Sequence, residues 1–79
     1  MEIRFFAGAA EAAGVDTVEV DADGLTAADV VARLSDGNER LARVLGVSSL
    51  LADGSRLDDR GADLSSVERL DVLPPFAGG

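Results

Sequence analysis

The sequence predicts an α+β fold: a mixed sheet with helices gathered on one face. Three observations predict it. Short segments that alternate apolar and polar residues stand near both ends of the chain, at 2–7, 17–21 and 67–73. Two amphipathic stretches lie between them, one running from Thr26 to Asp36 and one from Asn38 to Gly46. An apolar share of 47% over 79 residues suffices for one compact core and argues against disorder. A chain of this length makes one domain, and residues 1–79 are read as that domain, with 74–79 as an extended, flexible C-terminal tail.

Each element has its own local cause. In the first strand, 2–7, Ile3, Phe5 and Ala7 share one face and Glu2, Arg4 and Phe6 the other. Residues 8–14 are short and small-chained, giving a brief helical turn closed by Gly14 rather than a core helix. The second strand, 17–21, turns Val18 and Val20 inward, and Asp21-Ala22-Asp23-Gly24 is a turn. Thr26 and Asp29 have the spacing of a capping box, opening a helix whose apolar stripe is Ala27, Val30, Val31 and Leu34. Asp36-Gly37 ends it. Asn38 caps a second short helix with Leu41, Val44 and Leu45 inward, closed by Gly46. A third strand follows at 47–52, Asp53-Gly54 is a tight-turn signal, and Arg56-Leu57 pairs back. Residues 58–66 are acidic and irregular. The last strand, 67–73, has Leu70 and Val72 inward and is stopped by Pro74-Pro75, which cannot donate to a ladder.

The composition removes much chemistry. There is no Cys and no His, and all seven basic residues are Arg, so thiol, imidazole and lysine chemistry are absent. The serines have no base to activate them. Asp53, Asp58, Asp59 and Asp63 do not follow calcium-loop spacing, and no metal site is expected. A formal net charge of −8 opposes nucleic acid and anionic membrane as partners and favours approach to a basic protein surface. No apolar run approaches membrane-span length and no secretory leader is visible, so the expected location is the cytoplasm.

The informative segment is Pro74-Pro75-Phe76-Ala77-Gly78-Gly79. The four residues after the prolines reach roughly 13 Å when extended, at about 3.3–3.6 Å each. Gly78 and Gly79 have no side chain and can thread a slot too narrow for a Cβ atom. The tail can therefore deliver the Gly79 carboxylate deep into another protein. A carboxylate becomes an acyl donor only when its oxygen is made a good leaving group. With no P-loop and no Lys, this chain cannot do that alone. Beside the tail, the strand phases turn Phe6 and Leu73 away from the helices, with Phe76 just beyond, an apolar patch suited to docking.

These residues carry a family resemblance. Ile3-Arg4-Phe5-Phe6-Ala7 with Ala12-Ala13-Gly14, and Asp71-Val72-Leu73-Pro74-Pro75-Phe76-Ala77-Gly78-Gly79, resemble the opening and close of the ubiquitin-like sulfur carriers of the MoaD/ThiS type. Within that type the chain is most similar to the small subunit of molybdopterin synthase. The resemblance implies a β-grasp, ubiquitin-like fold. It implies adenylation of Gly79 by a ubiquitin-activating-type adenylyltransferase that uses ATP and Mg, then conversion to a thiocarboxylate by a sulfurtransferase. It also implies sulfur donation within the large subunit of molybdopterin synthase, as a heterotetramer. No cofactor is expected on the chain itself, and it is not catalytic alone. Other readings stay open: a carrier for thiazole, cysteine or tRNA thiolation, a protein modifier joined to target lysines, or an interaction module with an inert tail.

Overall fold

The computed structural model describes residues 1–75. Five strands form one sheet in the order β2-β1-β5-β3-β4: β1 Glu2–Phe5, β2 Thr17–Glu19, β3 Ser49–Ala52, β4 Ser55–Leu57 and β5 Arg69–Leu73. β1 and β5 pair in parallel, with Ile3 opposite Leu70 and Phe5 opposite Val72. The other three pairings are antiparallel. First and last strands thus lie side by side at the centre. Asp53 and Gly54, at φ 49° and 85°, close the β3–β4 hairpin, as a tight turn with both central residues left-handed requires.

Three helices, α1 Gly8–Ala13, α2 Ala27–Ser35 and α3 Glu39–Val47, cover one face. Ile3, Phe5, Leu50, Leu70 and Val72 from the sheet meet Ala9, Ala12, Ala27, Val30, Leu41 and Leu45 from the helices in a single buried cluster. The Thr26 hydroxyl accepts from the Asp29 amide at 3.1 Å and the Asp29 carboxylate accepts from the Thr26 amide at 3.0 Å, so the capping box is complete. Asn38 caps α3 by accepting from the Leu41 amide at 3.0 Å, and its own amide donates to the Ala12 carbonyl at 2.9 Å, tying α3 to α1.

Four local expectations need correction. Ala7 does not continue the inward row of β1: it is exposed, at φ 49°, because the chain turns there into α1. α1 is more than a covering turn, since Ala9 and Ala12 are buried; alanines are small enough to let a short helix approach the sheet closely. Gly46 does not close α3, which runs to Val47, with Ser48 as cap and its hydroxyl donating to the Val44 carbonyl at 2.6 Å. The acidic segment 58–66 contributes Leu64 to the core, fully buried and held by its amide's 2.8 Å bond to the Leu25 carbonyl.

Candidate functional site

The helices leave the opposite sheet face uncovered. Along β1 this face carries Glu2 and Arg4, with Phe6 following the strand; along β5 it carries Arg69, Asp71 and Leu73. Because β1 and β5 are parallel neighbours, Phe6 and Leu73 come together at the end from which the chain leaves toward Pro74 and Pro75. The Phe6 amide donates to the Val72 carbonyl at 3.2 Å, which fixes that register beyond the strand's end. Phe6 is 37% exposed, Leu73 and Pro74 are half-buried, and Pro75 is exposed. Of the tail and docking residues read from the sequence, Phe6, Leu73, Pro74 and Pro75 are thus gathered at one end of the bare face. Phe76, Ala77, Gly78 and Gly79 lie outside the described residues.

One residue of this face escaped the sequence reading. Asp71 sits between inward-facing Leu70 and Val72, yet its side chain is only 8% exposed on the uncovered side. β5 is flanked by β1 and β3, so a short side chain at its middle is walled by neighbours on both sides. Arg4, its partner across the β1–β5 ladder, meets the carboxylate in a fork, Nε to Oδ1 at 2.8 Å and Nη2 to Oδ2 at 3.1 Å. Arg69 approaches from the same strand at 3.6 Å. The Arg4 hydrogen bond, opposed by burial and aided by both guanidinium charges, holds the Asp71 carboxyl below its ordinary range. The same bond raises the Arg4 pKa. The Arg4 guanidinium also lies 5.5 Å from the centre of the Phe6 ring. Asp71 therefore positions Arg4, and Arg4 backs Phe6. The signal in the sequence was an acid at the midpoint of the closing strand, between Leu70 and Val72 and in the phase shared with Arg4.

The remaining acids have local tasks. The Asp53 carboxylate accepts from the Glu68 and Arg69 amides, at 3.1 and 2.9 Å, and so fixes the start of β5. Asp58 pairs with Arg56, Asp59 receives the Gly61 amide, and Asp63 receives the amide and hydroxyl of Ser65, which lower its pKa. Among the described residues no cluster of His, Cys, Asp or Glu is placed to hold a metal ion, and no helix is long and apolar enough to cross a membrane.

A five-stranded mixed sheet whose parallel first and last strands are central, with helices on one face and the chain leaving beside the bare face, defines the ubiquitin-like β-grasp class. The chain belongs to the ThiS family, whose model matches residues 3–79. It is similar in structure to SAMP1 from Haloferax volcanii, with a TM-score of 0.76 and 31% identity over 99% of this chain and 97% of that one. It is also similar to a crystal structure of the H. volcanii small archaeal modifier protein 1 (TM-score 0.72, 30% identity, 94% of each chain covered). A third similar structure is the solution structure of the H. volcanii HVO 2177 protein (TM-score 0.71, 29% identity, 99% of this chain and 84% of that chain covered). No curated protein matches the sequence. The chain is thus a small ThiS-family protein with a ubiquitin-like fold of the carrier and modifier type.

Proposed function

We propose that this protein is a sulfur carrier whose working group is the Gly79 carboxylate, serving the synthesis of molybdopterin. The observation that supports this most is that the ThiS-family match runs from Ile3 through to Gly79, so sheet and tail match as one unit. In this reading a ubiquitin-activating-type adenylyltransferase, with ATP and Mg, converts the carboxylate to an acyl adenylate and releases pyrophosphate. AMP is then the leaving group: sulfur delivered at the sulfide level by a sulfurtransferase attacks the acyl carbon with its own electron pair, the bond to AMP breaks, and a terminal thiocarboxylate remains. Gly78, Ala77 and Phe76 thread the partner's channel, Pro74 and Pro75 aim them, and Phe6 and Leu73 seat the bare face on the partner. The large subunit of molybdopterin synthase accepts the loaded tail in a heterotetramer. The chain contributes a reactive terminus and a docking surface, while nucleotide, metal and catalytic side chains belong to the partners. The cytoplasm is the location this reading requires.

The likeness to proteins described as small archaeal modifiers favours a second reading, in which the Gly79 acyl group is joined to lysines of target proteins. Having no Lys, this chain would offer no side-chain amine for building chains on itself. Reconstitution separates the two. Thiocarboxylated protein mixed with the large subunit and the pyranopterin precursor should yield the dithiolene; absence of dithiolene with an active large subunit contradicts the molybdopterin reading. The modifier reading instead predicts foreign lysines carrying the tryptic remnant Leu70 to Gly79, since Arg69 is the last cleavage site.

A further inference from the structure

β2 is an edge strand, and among the described residues no strand pairs with its outer side. The Phe5 amide donates to the Asp16 carbonyl at 2.8 Å and the Val20 amide to the Met1 carbonyl at 3.0 Å, with Val18 opposite Ile3 between them. Antiparallel alternation therefore turns the backbone groups of Asp16, Val18 and Val20 toward β1, and those of Thr17 and Glu19 outward. The other edge, β4, is different in character: Arg56 stands there, paired to Asp58 at 2.9 Å.

Two further features converge on β2. Two contiguous grooves, each of about 330 Å³, open at its start. They share Ala10 and Asp16, and present Phe6 on one side and the 47%-exposed Val15 on the other. The exposed side chains of this edge are acidic, and the cations beside it are already engaged: the Met1 ammonium donates to the Val20 carbonyl at 2.8 Å, and Arg4, which lines the second groove, is bonded to Asp71. Asp16, Glu19 and Asp21 are exposed and form no ion pair among the described residues, and Glu19 stands directly across the ladder from Glu2. Like charges in that position repel, so the edge rejects a second acidic copy of itself and gains from incoming cations.

We propose that the β2 edge is a second docking surface, which takes up by strand addition an extended segment of a partner protein that alternates basic and apolar residues. Outward amides and carbonyls of Thr17 and Glu19 supply the pairing, the acids select Arg or Lys, and the Phe6–Ala10–Val15 grooves take the apolar side chains. This surface shares Phe6 with the tail-side face but uses none of residues 74–79, so peptide binding to the free chain does not depend on the state of Gly79.

The test is a titration of the full-length, 15N-labelled chain with capped hexapeptides of alternating Arg and Val. Shifts should concentrate at 15–20 with Phe6 and Ala10, and amide exchange should slow at Thr17 and Glu19. Methylating the peptide's backbone nitrogens should abolish both effects. Asp16→Arg with Glu19→Arg, both exposed positions, should lose the Arg–Val peptide and gain a Glu–Val one. Three outcomes overturn the proposal: no shifts at millimolar peptide, shifts that survive backbone methylation or spread over Asp58 and Asp59, or peptide-free self-association that perturbs Thr17, Glu19 and Arg56 together.

Discussion

Asp71 and Phe6 divide the bare face between them. Asp71 is held ionised, its pKa below the ordinary 3.8 because Arg4 donates to it in a fork. A carboxyl whose pKa is depressed in the folded state stabilises the fold above the unfolded value, and that contribution fades as pH falls through the folded one. Asp71→Asn should therefore lower stability at neutral pH, by about 1–2 kcal/mol given a charged hydrogen-bond partner. Thermal melts of both proteins should differ most at pH 6–7 and draw together as pH falls below the unfolded value of 3.8 and through the depressed Asp71 value; a difference that stays constant down that range contradicts the assignment. Phe6 has the opposite balance. Being partly exposed, it can be changed at little cost to the fold, and Phe6→Asp should weaken affinity for the activating enzyme while the melting temperature stays close to that of the parent. Unchanged affinity in a binding titration removes Phe6 from the docking surface. The phase of Phe6 was readable from strict alternation in the first strand. The burial of Asp71 was not, because it depends on β5 being central, which is a property of pairing and not of period.

At the scale of elements, capping chemistry was the most legible signal. Thr26 with Asp29 and Asn38 with Leu41 act across three residues, so their spacing alone locates the starts of α2 and α3. Thr26→Ala should cost about 1 kcal/mol, read from denaturant unfolding, with faster exchange at the Asp29 amide. Ends were less legible. Gly46 looks like a helix stop, yet it stays helical because Ser48 closes the turn, and Ala7 leaves the strand because the chain must turn into α1. Leu64 is the clearest miss. It lies alone in an acidic stretch with no apolar periodicity, and long-range ties carry it into the core: its own bond to Leu25, the Thr26–Asp63 bridge and the Ala27 amide's bond to the Ala62 carbonyl. Leu64→Ala should cost about 2–5 kcal/mol, the range for a buried leucine; a loss under about 0.5 kcal/mol would return the segment to the solvated loop its composition describes.

For the whole molecule, charge and topology set behaviour. A net charge of −8 sits on a body whose radius of gyration is 11.4 Å, close to the screening length of about 10 Å at 0.1 M salt. Carboxylates that lie within about that distance of one another on the surface therefore still repel at 0.1 M salt. The melting temperature should rise as KCl increases from about 0.1 to 1 M, where the screening length shrinks to about 3 Å; a fall would mean that ion pairs such as Arg4–Asp71 outweigh the repulsion. The α+β class followed from the order of periodic segments, and the β-grasp fold from the resemblance at the two ends of the chain. Those ends are the sheet's centre, since β1 and β5 pair side by side. That pairing sets Phe6 beside Leu73 where the tail departs.

The account rests on the Gly79 carboxylate as the acting group, and the intact mass of protein isolated from sulfur-replete cells tests it most directly. A carrier shows a subpopulation heavier by one oxygen-to-sulfur exchange, mapped to the C-terminal peptide and absent when Gly79 is deleted. A single unmodified species in cells that are making the cofactor contradicts the account.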